Sequence, residues 1–87
     1  MGGYLYILRS GKNGRYYVGS TNDLDRRFKE HNNCEEKATK GLVPLFLVYS
    51  EKYDTLPAAR MREHQIKKYK SRKIIEKIIY GDYFCQQ

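Results

Sequence analysis

The stretch that decides the fold is Tyr17-Val18-Gly19-Ser20-Thr21-Asn22-Asp23-Leu24-Asp25-Arg26-Arg27-Phe28-Lys29-Glu30-His31, in which a β-rich segment leads directly into a helical one. The aromatic and β-branched residues at its start complete a predicted strand over residues 15–19. Either Thr21 or Asn22 can cap the following helix, because each side chain can accept a hydrogen bond from an amide of the first turn. The helix is predicted to stop at Asn32-Asn33.

Two pairs of residues define the faces of this helix. Leu24 and Phe28 are four residues apart and share a face that should pack inward. Arg27 and His31 have the same spacing and share a neighbouring face. Arginine can hold a phosphate through two parallel hydrogen bonds, and histidine can donate to an oxyanion or carry a proton. A solvated face on a basic protein would give the same pattern, so both interpretations stay open at this point.

The segment upstream predicts a β-hairpin. Tyr4–Leu8 is short and β-rich, and Gly11–Gly14 contains an Asn-Gly pair that favours positive φ. Tyr6 and Tyr17 therefore lie on adjacent strands. A phenol can orient a water, donate to a phosphate oxygen, or act as a base if its pKa is lowered. An ordinary cross-strand aromatic pair is the alternative.

The downstream half predicts a loop, a strand and two helices. Residues 33–43 are polar, and a loop of this length in a small domain is often functional or mobile. The near-continuous apolar run Leu45–Tyr49 predicts a central strand that is buried on both faces. A second helix is predicted to begin near Thr55, with Pro57 in its first turn. A third is predicted between Ser71, as its cap, and Gly81, as its stop; its apolar residues are Ile74, Ile75, Ile78 and Ile79.

The second helix carries the residue that fits its surroundings least well. Its stripe of residues at helical spacing consists of Leu56, Ala59, Glu63, Ile66 and Tyr69. A carboxylate among apolar neighbours needs a cation, several donors or a metal. A buried ion pair, or a glutamate at the edge of the stripe that reaches water, would also satisfy it. The neighbouring His64 points elsewhere and is read as a surface residue.

The element order β-β-α-β-α-α predicts an α/β fold with a small three-stranded mixed or antiparallel sheet flanked by helices. The 87 residues fit a single domain over 1–87. A net charge of +7 attracts polyanions, nucleic acid first and anionic membrane second. Cys34 and Cys85 are interpreted as free thiols in a reducing compartment. Without a signal peptide or a spanning run, the protein is expected to be cytoplasmic, with no membrane partner.

Basic side chains form the candidate nucleic-acid surface: Lys40 in the loop, and Lys67, Lys68, Lys70, Arg72 and Lys73 around the junction of the last two helices. Such a run is usually a solvated face, but with aromatics interleaved it can also track a phosphate backbone. No Gly-rich phosphate loop, Cys/His metal spacing or nucleophile elbow offers a competing chemistry.

The order and spacing of these signals resemble the GIY-YIG nuclease superfamily over almost the whole chain. Tyr4-Leu5-Tyr6 resembles its first motif, and residues 17–31 resemble its most recognisable segment. Residues 47–51 and 58–68 are similar to the later segments of its small standalone bacterial members. The first motif departs by having Tyr4 for Gly and Leu5 for Ile. Ser20 stands where some repair nucleases carry Lys, and the late Asn of some homing members has no clear match.

The resemblance implies a role for each candidate. Tyr6 would line the site and contact the attacking water or the phosphate, and Tyr17 would be the general base or its relay. Arg27 would steady phosphate charge, and His31 would support proton transfer. Glu63 would be the single protein carboxylate on a divalent metal, Mg²⁺ or Mn²⁺. Gly19 would keep the site uncrowded.

The expected function is metal-dependent endonuclease-type hydrolysis of DNA, with low sequence specificity and a role in repair or nucleic-acid processing. RNA is a second candidate substrate, and a homodimer or a protein partner would supply target choice. Two alternatives stay open. One is a nucleic-acid-binding module of the same fold with weak or no catalysis; the other is a basic interaction protein with no nucleic-acid role, which leaves the co-occurring site residues unexplained.

Overall fold

A computed structural model describes residues 2–81 of the chain, which form three strands, three α-helices and one 3₁₀ helix. In chain order these are β1 (Gly3–Ser10), β2 (Tyr16–Thr21), α1 (Leu24–Asn32), the 3₁₀ helix (Lys37–Leu42), β3 (Leu45–Tyr53), α2 (Leu56–Tyr69) and α3 (Arg72–Tyr80). The predicted order β-β-α-β-α-α is confirmed. Cys34 is an exposed free thiol, whereas the prediction for Cys85 lies outside the described residues.

The sheet is antiparallel throughout, with the strand order β2-β1-β3. The prediction that Leu45–Tyr49 is a central strand buried on both faces is therefore wrong. β1 is the central strand, because the short hairpin pairs one of its edges with β2 and β3 pairs with the other. β3 is an edge strand on which Phe46 and Leu47 are exposed. An apolar run shows how much surface a strand can bury, but not its position in the sheet.

Each face of the sheet has its own apolar cluster. On one face, Leu5, Ile7 and Val18 pack with Ile66 of α2 and with isoleucines of α3. On the other face, Tyr6, Leu8 and Leu45 pack with Leu24 and Phe28 of α1. The alternation of side chains along β1 produces this division, since successive residues point to opposite faces. The predicted inward face of α1 is confirmed.

The helix ends follow local capping chemistry. Asp23, and neither Thr21 nor Asn22, is the N-cap of α1, because its carboxylate accepts from the amide of Arg26. Thr21 is instead the last residue of β2 and is buried. The predicted cap of the third helix is confirmed, because Ser71 caps α3. The second helix begins near Thr55, as predicted, and Thr55 is its N-cap.

The predicted loop at 33–43 is more ordered than expected, because residues 37–42 form the 3₁₀ helix. This helix brings Thr39 into the interior, where it is fully buried. Within the described residues, no helix combines the length and the apolar character needed to cross a membrane.

Candidate active site

The close approach of Tyr6 to Gly19 forms the floor of the candidate site. The two residues are partners in the β1–β2 ladder. A Cβ added at Gly19 would lie 2.5 Å from Oη and 2.6 Å from Cζ of Tyr6. Only glycine leaves room for the tyrosine ring to cross β2 here. Gly19 was expected to keep the site uncrowded, and Tyr6 is the side chain that needs the space.

A buried hydrogen-bonded chain holds Tyr6 in place. Its hydroxyl is 2.9 Å from His31 Nε2, and His31 Nδ1 is 2.7 Å from Thr39 Oγ1. His31 and Thr39 are completely buried, and Tyr6 is 2% exposed. The chain joins β1, α1 and the 3₁₀ helix. His31 is thus no part of a solvated face, and its imidazole reaches the site through Tyr6.

Burial also determines the protonation states of Tyr6 and His31. It raises the pKa of Tyr6 to about 12; the Arg27 guanidinium opposes that rise, while the Tyr17 phenol and the Glu63 carboxylate add to it. Burial, followed by the nearby Arg27 charge, lowers the pKa of His31. Both groups are therefore neutral at pH 7. The hydrogen bond between the two side chains can polarise the Tyr6 hydroxyl, but Tyr6 itself is a poor base because it keeps its proton at pH 7.

Tyr17 is the more accessible of the two predicted tyrosines. It is half-buried, and its ring centroid lies 6.5 Å from that of Tyr6 and 5.1 Å from that of His31. The ammonium group of Lys67 also lies near this ring, with Nζ 5.8 Å from the Tyr17 ring centroid. Because β2 is an edge strand, Tyr17 lies at the rim of the sheet, where the two faces meet.

Arg27 is held over the site by acidic neighbours. Its guanidinium donates to Glu30 at 3.0 Å and to Glu36 at 2.6 Å. Partial burial acts to lower the pKa of Arg27, but the contacts with Glu36, Tyr6 and Glu30 outweigh it and raise the pKa. The arginine thus stays charged. It lines an open depression of about 340 Å³ together with Ser20, Asn22, Arg26 and Arg60, among others.

Glu63 reaches the same rim from the opposite face of the sheet. Its Oε1 accepts from Ser20 Oγ at 2.5 Å, and its Oε2 accepts from Lys67 Nζ at 2.6 Å. The carboxylate on the apolar stripe therefore has a hydroxyl and a cation as partners. Since Glu63 acts on the pKa of Tyr6, the two halves of the site are electrostatically connected.

A second contact of α2 determines the direction in which the Glu63 side chain points. The adjacent Arg62 donates to Glu51 of β3 at 3.1 Å. Glu51 and Ser20 both pair with Leu5 in the sheet, so they lie at one level on opposite edges. Neighbouring residues of α2 thus fasten to the two outer strands at the same level. This fixes the helix across the sheet and directs Glu63 to β2.

We expect the Glu51 network to contribute to stability in a pH-dependent way. Burial alone would raise the pKa of Glu51, but hydrogen bonds from Tyr49, Tyr53 and Arg62 lower it below 4.5. A depressed pKa adds stability above pH 4.5 that is lost as the pH falls through the folded-state value. Glu51→Gln should lower the free energy of unfolding by about 1–3 kcal/mol at pH 7. Urea unfolding at pH 7 and at acidic pH measures this.

The exposed Glu35→Gln is the matched control for that measurement. The difference between wild type and Glu51→Gln should shrink as the pH falls below 4.5. A difference that stays constant with pH would contradict the assigned role of the carboxylate charge.

The structure therefore brings the five predicted catalytic residues to one edge of the sheet. The predicted basic residues are not all together. Lys67, Lys70 and Arg72 line one groove, while Lys68 lines a different depression on α2. Lys40 is exposed on the 3₁₀ helix and Lys73 is exposed on α3.

Sequence reasoning missed Arg60, Ser20 and Thr39 as parts of the site. Arg60 could have been found from helical spacing, because it lies three residues before Glu63 and so shares its face. Ser20 could have been found from strand alternation only once β2 was known to pack against α2. Thr39 left no signal, since its contact with His31 depends on how the 3₁₀ helix folds back.

The sequence of this chain, whose antiparallel sheet brings tyrosines, an arginine and a glutamate to the β2 edge, matches a known family. A family model described as the GIY-YIG catalytic domain matches residues 2–77. The chain belongs to the GIY-YIG family, whose members are in general endonucleases that use divalent metals.

Similar proteins agree with this assignment. The chain is 46% identical over 66 residues to a UPF0213 protein of Clostridium perfringens, a match that covers 75% of this chain and 70% of that protein. It is 38% identical over 79 residues to a UPF0213 protein of Staphylococcus saprophyticus, covering 90% and 95%. The solution structure of a UPF0213 protein from Bacillus halodurans matches with a TM-score of 0.56 and 34% identity, covering 91% of this chain and 83% of that one.

Proposed function

We propose that this protein hydrolyses phosphodiester bonds of DNA as a metal-dependent endonuclease with low sequence specificity. The observation that carries the proposal is the convergence of Tyr6, Tyr17, Arg27 and Glu63 on the exposed edge of β2. A charged arginine, a carboxylate and an accessible phenol are the groups that phosphodiester hydrolysis needs around one phosphate.

Each side chain has a distinct task in this proposal. Arg27 binds the scissile phosphate and stabilises the charge that develops on it in the transition state. Tyr17 accepts or relays the proton of the attacking water, since it is the more accessible phenol. Tyr6 keeps its proton and orients the water or a phosphate oxygen. His31 contacts the Tyr6 hydroxyl through one ring nitrogen and Thr39 through the other, so it fixes Tyr6 and supports proton transfer at Tyr17 by positioning.

The residues at the site fit a magnesium or manganese ion. Among residues 2–81, no set of three or more His, Cys, Asp or Glu side chains is placed to hold a metal jointly. Mg²⁺ needs no such set, because it keeps waters and takes substrate oxygens as its other ligands. Glu63 would hold the ion. When bound, the metal supplies Lewis-acid polarisation of the phosphate and stabilises the leaving oxygen.

Lys67 is expected to compete with the metal for Glu63, because its ammonium group contacts Oε2. Lys67→Gln removes a partly exposed ion pair of about 0.5–1 kcal/mol. That energy corresponds to roughly two- to fivefold tighter binding of Mn²⁺. Calorimetric titration of Mn²⁺ into the protein without nucleic acid measures it. Lys68→Gln removes the same charge one residue away and should leave the affinity near that of wild type; equal affinities in all three proteins would contradict the competition.

A nucleic-acid-binding module without catalysis is the second candidate. It is favoured by the contacts that already occupy Glu63, since both carboxylate oxygens are engaged by Ser20 and Lys67. For either candidate function, we propose that a homodimer or a protein partner supplies the choice of target. The proposed role is in repair or nucleic-acid processing.

The test is cleavage of labelled single-stranded, duplex and branched DNA and of RNA, with Mg²⁺, with Mn²⁺ and with EDTA. We expect cleavage of DNA only with a metal, and loss of cleavage in Tyr17→Phe. Tyr4→Phe removes a hydroxyl elsewhere on the sheet and should cleave like wild type. Binding without cleavage in any metal would move the protein to the second candidate.

A further inference from the structure

A groove lies beside the candidate active site, and most of its lining has no part in the proposed chemistry. It lies between β2 and the junction of α2 and α3 and has a volume of about 410 Å³. Lys67 belongs to both places: it lines the groove, pairs with Glu63 and lies over the ring of Tyr17. The groove therefore opens directly onto the proposed cleavage site.

The rim of the groove is positively charged. Arg15, Lys67, Lys70 and Arg72 line it. Within residues 2–81, no ion pair engages the side chain of Arg15 or of Lys70. At its hairpin end, a Cβ placed at Gly14 would lie 3.6 Å from a guanidinium nitrogen of Arg9 and 3.7 Å from one of Arg72. Two arginines thus face the same turn, and the charge continues beyond the groove.

The wall of the groove is apolar and aromatic. Its accessible part is formed by the half-buried Tyr16, Tyr17 and Ile75. The buried Val18 and Ile66 lie beneath them, and the Arg72 guanidinium is 5.1 Å from the Tyr16 ring centroid. A duplex presents its phosphates outward and keeps its bases stacked, so its bases cannot contact an apolar wall. An unpaired nucleotide presents both a phosphate and a flat base, and it suits a basic rim with an aromatic wall. The volume is at the lower end of the range for small-ligand cavities, about 300–1,000 Å³.

We propose that this groove binds an unpaired segment of a nucleic-acid strand next to the bond to be cut. Arg15 and Lys70 neutralise its phosphates together with Arg72, whose guanidinium also pairs with Glu76 at 3.4 Å. The apolar wall receives a base or sugar. The preferred substrate is therefore one with a single-stranded segment beside the cleavage site, such as a branched or overhanging DNA. This inference deepens the proposed nuclease function and rests on it for the meaning of the cleavage site.

The test is a binding measurement in EDTA, so that cleavage plays no part in it. Fluorescence anisotropy is followed with a short labelled oligo-dT strand and with a labelled hairpin duplex of the same length, over a range of salt concentrations. The test variant is Arg15→Gln/Lys70→Gln. The matched control is Lys29→Gln/Lys52→Gln, which removes the same two charges from exposed positions outside the groove.

We expect the groove variant to bind the single strand roughly tenfold more weakly than the control. The slope of log affinity against log salt should fall by about 1.4, or about 0.7 for each lost phosphate contact. Equal weakening by both variants would show attraction by net charge alone and overturn the groove. An equal loss for duplex and single strand would overturn the preference for unpaired strands, and no binding to either probe would overturn the whole inference.

The binding result is independent of the proposed function. If the groove variant weakens binding but wild type cleaves nothing with Mg²⁺ or Mn²⁺, the groove stands and the nuclease proposal fails. If wild type cleaves and the groove variant binds like its control, the nuclease proposal stands and the groove fails.

Discussion

Glu63→Gln is expected to lower the rate of DNA cleavage by about 10³-fold, which corresponds to about 4 kcal/mol of transition-state stabilisation. Glutamine has nearly the same shape and can still accept the hydrogen bond from Ser20, so α2 should stay in place. What disappears is the negative charge that would hold the divalent metal. Single-turnover cleavage at saturating protein, over a range of Mn²⁺ concentrations, separates weaker metal binding from a slower chemical step.

Glu35→Gln is the control for this substitution, because it removes one carboxylate at an exposed position on the loop after α1. It should cleave at the wild-type rate. Circular dichroism and thermal unfolding of Glu63→Gln should match wild type, since the partly exposed pair with Lys67 contributes little to stability. Cleavage that survives in Glu63→Gln at every metal concentration would remove this residue from the proposed mechanism.

Gly19→Ala is expected to affect both folding and cleavage. The new methyl group would lie 2.5 Å from the Tyr6 hydroxyl, so the ring has to move. It has little freedom to do so, because it is buried and hydrogen-bonded to His31. Overpacking of this kind costs about 1–3 kcal/mol. Displacement of Tyr6 by about 1 Å should lower cleavage about 10²-fold.

Gly41→Ala is the matched control, because a Cβ there would meet no atom within 4 Å. It should leave the free energy of unfolding and the cleavage rate near their wild-type values. Urea unfolding and cleavage assays of the two alanine variants make the comparison. If Gly19→Ala behaves like Gly41→Ala in both, then the approach of Tyr6 to β2 is not essential to the site.

Part of the candidate site could be read from the sequence because its residues are linked by local spacing. Arg27 and His31 share a face of one helix, and Glu63 stands out among apolar neighbours on another. Their chemical environment could not be read in the same way. The neutral state of His31 depends on its burial and on the nearby charge of Arg27, which together lower its pKa. Its ring is held by Thr39, which is eight residues away along the chain but adjacent in space.

By itself, the sequence determined the three strands, the three α-helices and their order. Thr55 and Ser71 cap their helices through contacts within three residues, and the Asn-Gly turn joins β1 to β2 through backbone preferences of its own. These are short-range effects, so the local sequence contains the information. The cap of α1 was misassigned because Thr21, Asn22 and Asp23 are adjacent and each can cap a helix. Thr21 is the last residue of β2, and Asp23 is the residue placed to accept from the first turn of α1.

Only the tertiary structure decided how the elements are arranged. The central place of β1 follows from pairing on both of its edges, and the second of those edges is supplied by a strand about forty residues away. The same long-range packing places Ser20 against Glu63 and Arg62 against Glu51, which turns a carboxylate on a helix into part of a site at the β2 edge. Contacts of this kind depend on which surfaces can be buried together, and no local pattern records that choice.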